Sequence, residues 1–425
     1  MLNCRGVDIV TTGRKAVAIF ILAIAVLLVP GCGREKTRED HLVVWHVGPE
    51  SQARTIVEIS RKFTERTGIT VSCKAIAWGN AHSKYLTSIA GGVSPDIGSM
   101  GLTWGMEFGE LGALIDLREH FPQDVSELEK TIFPGILRST RIGDRVYGIP
   151  FDLSQHIMYY RTDIVPYPPR NWEEFLVTLK ALQEDKRGAL IDWGSLEWIG
   201  YAPFLWQAGG DFYDDTLTRV TLDTPEAAMA LEYMAKLYRT GVPRTQIPLE
   251  QGMRTGDYPL AISGDWKIIS LKVSAPEIEG KWEIASLPEG PAGKRTAFLG
   301  GRIMSVFSLS EMKQEAWEFI KFLFEPENQV KMYEAAFNTE DAYLPPNMDT
   351  WALLPMDEKF KGILESQAMD GRGAPPVRAW DSSSRFVNHA VQMVILRNAD
   401  PAEELKKATE AMQAELDRTR AAIRR

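Results

Sequence analysis

The stretch from His41 to Cys73 constrains the fold most, because a strand, a helix and a second strand follow one another within it. It opens with the near-continuous apolar run HLVVWHV, which is typical of a strand buried in a sheet. The spacing of Ile56, Ile59 and Phe63 predicts one buried helix face, and Gly68 ends that helix. A β-α-β order predicts a parallel sheet covered by helices, with ligands beyond the carboxyl ends of its strands.

Several candidate ligand contacts lie at predicted strand ends. Trp45, His46 and Glu50 lie at the end of the first strand. Alternatively, Trp45 packs in the core and Glu50 only favours the start of the helix. Further on, the sequence predicts a flexible strand-end loop over Gly98–Gly101, and Trp104 opens the next helix. An aromatic ring beside a glycine-rich loop can stack on a ligand, so Trp104 is a further candidate.

Length and charge limit the class of protein. A chain of 425 residues exceeds one ordinary hydrophobic core and predicts two domains. Hydrophobic residues make up 44% and charged residues 25%, which are globular values. The formal net charge of −9 argues against nucleic acid as a partner, because phosphate binding needs a basic surface.

The N-terminus predicts a secretory signal over residues 1–31. Basic residues precede an apolar run over 16–29, which is short for a membrane-spanning helix. Cys32 follows in a position that resembles the lipobox of bacterial lipoproteins. That resemblance implies cleavage before Cys32, a diacylglycerol on its thiol, and a lipid-anchored linker over residues 32–40. The predicted location is extracytoplasmic, anchored to the cell membrane. A plain signal peptide or an uncleaved anchor is the alternative.

The three cysteines predict no intrachain disulfide. Cys4 leaves with the signal and Cys32 is acylated, so Cys73 remains alone. Cys73 lies on the apolar side of a predicted strand, which indicates a small buried core residue. No His/Cys cluster has metal-binding spacing, and we expect neither a metal nor a cofactor.

The stretch from Gly143 to Ile164 reads as two short apolar strands broken at Pro150, and it predicts a stiff connector between the two domains. Asp152, Ser154 and Gln155 lie at this crossing and are candidate ligand contacts, because ligand sites favour clefts between domains. Alternatively, the stretch is a turn within one large domain and these residues are solvated.

Three later glycine-containing motifs give the remaining loop candidates. One motif joins an aromatic residue, an amide and two glycines, the second is Gly-Asp-Trp at a strand end, and the third is Gly-Gly-Arg. The candidates in these motifs are Trp206 and Gln207, Asp265 and Trp266, and Gly301 and Arg302.

The ordered motifs resemble those of the bacterial extracellular solute-binding proteins of family 1, the maltose-binding-protein-like lipoproteins of sugar ABC importers. The matching segments include SIAGGVSPDIGSM, GDRVYGIPFD with MYYRTDI, PRNWEEFLVTLKAL, RTGDYPLAISGDW and TAFLGGRIMSVFSLS. They extend over nearly the whole mature chain. The resemblance implies an α/β fold of the type II periplasmic-binding-protein class, with a ligand cleft between two lobes.

The resemblance also implies how the lobes are built and what they contact. An N-terminal lobe would comprise residues 42–150 and 301–340, and a C-terminal lobe residues 151–300 and 341–425. Three hinge crossings would lie near Pro150, Gly300 and Asp341. Such a receptor is not an enzyme. It closes over a carbohydrate and docks on ABC permease subunits, and we expect a monomer.

Carbohydrate sites pair aromatic rings with polar side chains, and this defines the candidate site. Trp266 matches the family's cleft aromatic, Gly301 matches a glycine whose backbone meets the ligand, and Arg302 replaces a frequent aromatic. That replacement favours an acidic or heavily hydroxylated ligand. The family's acidic residue at the first crossing aligns nearer Ser154 than Asp152. The candidate platforms are Trp45, Trp104, Trp206, Trp266 and Trp380, and the candidate hydroxyl partners are Glu50, Asp152, Gln155, Asp265 and Arg302.

Two other functions stay open from the sequence. The same fold can bind a polyamine, a metal ion or a glycerol phosphate, although the many tryptophans favour a sugar. A secreted glycoside hydrolase would need two carboxylates that flank one glycosidic bond, and Asp152 and Asp265 are the candidates for that role. Nothing in the sequence marks these two as a pair.

Overall fold

The computed structural model describes residues 40–338, 343–378 and 380–423. The predicted signal peptide, Cys32 and the predicted crossing near Asp341 lie outside these residues. The strands are β1 His41–Val47, β2 Thr70–Ile76, β3 Ile97–Gly101, β4 Arg141–Ile142, β5 Arg145–Val146, β6 Ile149–Pro150, β7 Ser154–Arg161, β8 Ala189–Ile191, β9 Leu260–Gly264, β10 Trp282–Ala285, β11 Leu299–Gly300 and β12 Arg302–Val306. The helices are α1 Glu50–Thr67, α2 Trp78–Ala90, α3 Trp104–Glu110, α4 Leu117–His120, α5 Pro122–Thr131, α6 Pro134–Leu137, α7 Trp172–Glu184, α8 Trp198–Gln207, α9 Pro225–Thr240, α10 Leu249–Thr255, α11 Lys267–Ser274, α12 Lys313–Phe324, α13 Pro326–Asn338, α14 Met348–Trp351, α15 Glu358–Met369, α16 Trp380–Arg397 and α17 Pro401–Ile423. Short 3₁₀ turns cover Arg138–Thr140 and Pro276–Ile278.

The first sheet has the strand order β2-β1-β3-β12-β6. β1 runs parallel to β2 and β3, with Val44 opposite both Cys73 and Ile97, so the predicted β-α-β unit is confirmed. The helix between the two strands, α1, buries Ile56 and Phe63. It ends at Gly68, whose φ of 79° lies in the left-handed region that favours glycine.

The prediction of a flexible loop over Gly98–Gly101 was wrong, because these residues form most of β3 in the middle of the first sheet. Crowding explains the glycines. A Cβ on Gly98 would lie 2.7 Å from the Phe307 ring and 3.0 Å from the Tyr85 hydroxyl. Glycine therefore allows close packing here rather than flexibility.

The second sheet has the strand order β10-β7-β9-β8. In addition, β11 pairs antiparallel with the start of β7. β8 and β9 are parallel, whereas β7 is antiparallel to β9 and β10. Helices α7, α8, α9, α16 and α17 supply apolar residues to a core beside this sheet. Side-chain caps start two of these helices, since Asn171 accepts from Glu174 N and Thr224 accepts from Ala227 N.

The chain crosses between the two sheets at two adjacent places among the described residues. Residues 151–153 connect β6 in the first sheet to β7 in the second, and Gly301 connects β11 to β12. Gly301 has φ 133°, and a Cβ there would overlap the Asp152 carbonyl oxygen. The two crossings therefore lie in direct contact. The lobe boundaries assigned from the sequence stay a prediction.

Cys73 is less buried than predicted. It lies at intermediate exposure on β2, an edge strand, and packs against the core from one side. Burial and then the Glu50 carboxylate raise the pKa of its thiol to about 12, so the thiol is unreactive at neutral pH. Within the described parts of the chain, no helix combines the length and apolar character needed to cross a membrane.

Candidate functional site

A cavity of about 510 Å³ opens where strands of both sheets end, a volume in the range of small-molecule sites. Part of its lining follows β1, β2, β3, β8 and β9, as expected for ligand sites at the carboxyl ends of strands. The lining residues are Pro49, Gln52, Trp78, Gly101, Leu102, Thr103, Trp104, Asp152, Ser154, Trp193, Trp198, Ile199, Trp266, Phe298, Gly300, Gly301, Arg302, Ala374 and Asp381.

A buried ion pair between Asp152 and Arg302 forms the base of the cavity. Arg302 Nε donates to Asp152 Oδ2 at 2.8 Å and the Arg302 backbone N–H donates to Oδ1 at 2.6 Å. Arg302 Nη2 also donates to Oδ2. Both side chains are 5% exposed. Because the carboxylate comes from one crossing and the guanidinium from the other, the Asp152–Arg302 pair ties the two crossings together.

The remaining guanidinium nitrogen, Arg302 Nη1, also makes hydrogen bonds within the protein. Arg302 Nη1 donates to Val47 O at 2.8 Å and to Gln52 Oε1 at 2.7 Å, and it lies 3.0 Å from His46 Nε2. Burial, and then the positive charge of Arg302, hold the pKa of His46 well below its usual range, so His46 is neutral. Asp152 already neutralises the charge of Arg302. The expectation that Arg302 favours an acidic or heavily hydroxylated ligand stays a prediction.

One side of the cavity, the second wall, consists of Trp193, Trp198, Trp266 and Phe298. Trp193 meets Trp266 edge to face with ring centroids 4.7 Å apart, and meets Phe298 at 5.1 Å. Trp198 meets Phe298 at 5.1 Å and an interplanar angle of 88°. These are favourable aromatic geometries, so the rings form one preorganised surface.

The opposite side, the first wall, consists of Trp78 and Trp104. Trp78 follows β2 and is 49% exposed, and Trp104 follows β3 at intermediate exposure. Their rings meet each other at 5.7 Å, and Trp104 also meets the His82 ring at 5.2 Å. The first wall is smaller and more open to solvent than the second.

Glycines make room for the rings on both walls. A Cβ on Gly264 would overlap the six-membered ring of Trp266. On Gly300 it would lie 3.1 Å from Trp193, and on Gly101 it would lie 3.0 Å from Trp104. The glycines at these strand ends therefore allow the indoles to lie flat against the backbone.

The structure brings some of the residues predicted from sequence to this cavity and places the rest elsewhere. Those that line it are Trp104, Asp152, Ser154, Trp266, Gly301 and Arg302. The others, which do not line it, are Trp45, His46, Glu50, Gln155, Trp206, Gln207, Asp265 and Trp380. A ligand role for any of these residues stays a prediction.

Trp206, Gln207 and Trp380 are buried in the part of the protein that contains the second sheet. Trp206 is 2% exposed, and its Nε1 donates to Asp211 Oδ1 at 3.1 Å. Gln207 accepts from Trp172 Nε1 at 2.7 Å and donates to Thr296 O at 3.0 Å. These contacts make both residues part of the packing.

Trp380 has a supporting position behind the cavity. It is 1% exposed and meets the Trp198 ring at 4.7 Å with an interplanar angle of 88°. Because Trp198 lines the cavity and Trp380 does not, the buried indole fixes the position of the lining one.

Gln155 and Asp265 lie behind the base of the cavity. The Gln155 backbone N–H donates to Asp265 Oδ2 at 3.1 Å, and Gln155 Nε2 donates to Leu364 O at 3.0 Å. Burial raises the pKa of the Asp265 carboxyl well above its usual range, and the Asp152 carboxylate adds to this shift. Asp265 is therefore suited to stay protonated inside the protein.

The residues predicted at the end of β1 diverge. His46 is fully buried beneath Arg302, whereas Glu50 is exposed in the first turn of α1. The Trp45 ring lies by a separate shallow depression with Lys84, whose Nζ is 5.1 Å from the ring centroid.

Sequence reasoning missed four aromatic lining residues: Trp78, Trp193, Trp198 and Phe298. Two of them carried a usable signal. Trp78 follows β2 and Trp193 follows β8 by two residues each, the same position that Trp266 has after β9. Trp198 and Phe298 lie in apolar surroundings that do not distinguish a lining residue from a core residue.

Comparison with known proteins places this geometry in a family. A model of the family described as bacterial extracellular solute-binding protein matches residues 58–354. A binding protein of Brucella abortus is 24% identical over 374 residues, covering 83% of this chain and 87% of the relative.

Solved structures share the fold. The sugar-binding protein MalE of Xanthomonas citri matches with a TM-score of 0.80 and 21% identity, covering 91% of this chain and 99% of that one. An ABC transporter solute-binding protein of Thermotoga lettingae, bound with α-D-tagatose, matches with a TM-score of 0.74 and 23% identity, covering 88% and 99%. The fold is therefore of the type II periplasmic-binding-protein class, and the family match confirms the resemblance read from the sequence. The chain belongs to the bacterial extracellular solute-binding proteins.

Proposed function

We propose that this protein binds a neutral carbohydrate in the cavity between the two sheets and delivers it to the permease of an ABC importer. The observation that carries the proposal is the set of aromatic rings that face one cavity from both sides. Apolar C–H faces of a sugar pack on such rings, and its hydroxyls bond to polar groups between them. The sugar-binding protein of X. citri and the tagatose complex of T. lettingae support this choice of ligand.

The charges at the cavity favour a neutral solute over the alternatives. Among the described lining residues, the charged ones are Asp152, Arg302 and Asp381. Asp152 and Arg302 neutralise each other, which leaves Asp381 as the remaining charged residue of the described lining. A glycerol phosphate would need free cationic groups, and a polyamine would need several free carboxylates.

The same geometry disfavours a glycoside hydrolase. Two carboxyl groups would have to face one glycosidic bond across the cavity. Asp152 is held by Arg302, and Asp265 does not line the cavity. The protein is thus proposed to act by binding alone, and incubation with chromogenic glycosides is expected to give no turnover.

Closure is proposed as the step that couples binding to transport. The second wall and the first wall belong to the C-terminal and N-terminal lobes assigned from the sequence. A ligand that contacts both walls only in the closed form shifts the population toward that form. We further propose a monomer held to the outer face of the membrane by a lipid on Cys32.

The test is a calorimetric screen of the purified full-length chain against solutes of different charge. Neutral mono- and oligosaccharides are one arm, and putrescine and glycerol 3-phosphate are the other two. The proposal predicts saturable heat with at least one neutral sugar and none with the charged solutes. Binding of a charged solute with no response to any neutral sugar would refute it.

A further inference from the structure

Three potential metal ligands meet at the rim of the cavity, although they are far apart in the sequence. His82 lies on α2, Glu107 on α3, and Asp381 in the first turn of α16. One ligand atom from each lies within 4.8 Å of the other two. We call these three residues the rim cluster. It joins α2 and α3, which follow strands of the first sheet, to α16, which packs beside the second sheet.

Contacts around the rim cluster fix the orientation of its members. His82 Nε2 and Glu107 Oε2 lie 2.8 Å apart. The His82 ring stacks on Phe108 with centroids 5.4 Å apart and meets the edge of Trp104 at 5.2 Å. Neighbours that hold a ligating side chain in position are what metal sites require of their surroundings.

Asp381 is positioned in the same way from across the cavity. Thr103 Oγ1 donates to Asp381 Oδ1 at 3.1 Å, which leaves the second carboxylate oxygen free of this bond. Ligand atoms of two carboxylates and one imidazole thus lie within 4.8 Å of one another, and a divalent cation would neutralise the negative charge there.

We propose that the rim cluster binds a divalent transition-metal ion, with Zn²⁺ as the best match, through His82, Glu107 and Asp381. One imidazole nitrogen and two carboxylate oxygens suit Zn²⁺ better than Mg²⁺ or Ca²⁺, which prefer oxygen ligands alone. Tetrahedral zinc places ligand atoms about 3.3 Å apart, so the His82–Glu107 contact would open slightly and Asp381 would move inward. Water would supply the fourth ligand.

The consequence is a metal-dependent link across the mouth of the cavity. The ion would hold α16 to α2 and α3, and it would do so only while these helices are close together. It would therefore stabilise the arrangement in which the rim is narrow. The metal site does not depend on which solute the cavity binds, so its test is independent of the proposed function.

The test is calorimetric titration of the EDTA-treated, dialysed full-length chain with ZnCl₂, alongside the variants Glu107→Gln and Asp381→Asn. These substitutions keep side-chain size, and circular dichroism checks folding. We expect one Zn²⁺ site in the parent and at least about tenfold weaker binding in each variant. His120→Ala is the matched control, because His120 is an exposed histidine away from the rim, and it should leave the affinity unchanged.

Co²⁺ provides a second readout that a positioning role alone would not change. Bound in place of Zn²⁺, it should give visible absorption bands that disappear in Asp381→Asn and persist in His120→Ala. Absence of Zn²⁺ binding by the parent would overturn the proposal. Binding of equal strength in the parent, Glu107→Gln and Asp381→Asn would place the ion elsewhere and would overturn it as well.

Discussion

The two walls of the cavity differ in how they are supported. The second wall is a connected set of rings, and Trp380 and His156 pack against it from behind. The first wall has two tryptophans near solvent, with His82 beside Trp104. The second wall is therefore the more firmly supported of the two. In the proposed closure, a ligand lies on the second wall first and the first wall then covers it.

The largest effect on unfolding free energy is expected at the Asp152–Arg302 pair, which forms the base of the cavity between the two walls. Arg302→Met would leave the Asp152 carboxylate buried without its partner, and unfolding free energy should fall by about 3–5 kcal/mol. Chemical denaturation followed by circular dichroism measures it. The double variant Asp152→Asn/Arg302→Met is the control and should recover much of the loss. A decrease below about 1 kcal/mol in the single variant, as for a surface pair, would show that the base does not hold the walls together.

The next-largest effect is the pH dependence of unfolding free energy that comes from His156, which packs behind the second wall. His156 Nε2 lies 3.0 Å from Trp193 O, and burial lowers the pKa of His156 to about 4. The unfolded chain binds a proton at His156 below about pH 6.5, whereas the folded protein does not until about pH 4. Unfolding free energy should therefore fall by up to about 3 kcal/mol as pH drops through this range.

The matched comparison for this prediction is His156→Gln. Denaturation curves at several pH values should show a shallower decline for the variant than for the parent. Another buried histidine, His46, adds a decline of the same sign in both proteins, so only the difference between the proteins reports on His156. Identical slopes would mean that His156 is not kept neutral by its position.

Removing one ring from each wall compares the walls directly. Trp193 contacts Trp266, Phe298 and His156, so Trp193→Ala should weaken sugar binding by about 2 kcal/mol, about thirtyfold. Trp78→Ala removes a half-exposed ring and should cost less than about tenfold. Calorimetry with the sugar that binds best measures both. Equal losses would remove the distinction between the two walls.

The smallest effects concern the glycines beneath the rings. Gly264→Ala would push the Trp266 ring from its place, and we expect roughly tenfold weaker binding. Gly101→Ala meets Trp104 at 3.0 Å, a contact that a small ring movement relieves, and should change affinity by about twofold or less. A larger effect at Gly101 than at Gly264 would reverse the assignment of the more firmly supported wall.

Sequence reasoning reached the fold and part of the cavity for identifiable physical reasons. Apolar runs, their spacing and the helix-ending Gly68 are local signals, and they located β1 and α1. Strand-end position selected Trp104 and Trp266, which line the cavity. The same rule, applied after β2 and β8, would have added Trp78 and Trp193.

Other features depended on contacts that no local pattern records. Trp206 and Trp380 look like Trp266 in sequence, but both are buried. The partner of Arg302 is Asp152, 150 residues away, so its charge looked free from the sequence. The rim cluster joins His82 to Asp381 in the same way, through the approach of elements from both halves of the chain.

One matched pair of variants tests the central claim that the aromatic cavity is the carbohydrate site. Trp266 lines the cavity and Trp45 lies at a separate depression, and both are tryptophans of intermediate exposure. Calorimetry with the best-binding sugar should show at least about thirtyfold weaker binding for Trp266→Ala and parental affinity for Trp45→Ala. Parental affinity in Trp266→Ala, with or without a loss in Trp45→Ala, would show that the aromatic cavity is not the carbohydrate site.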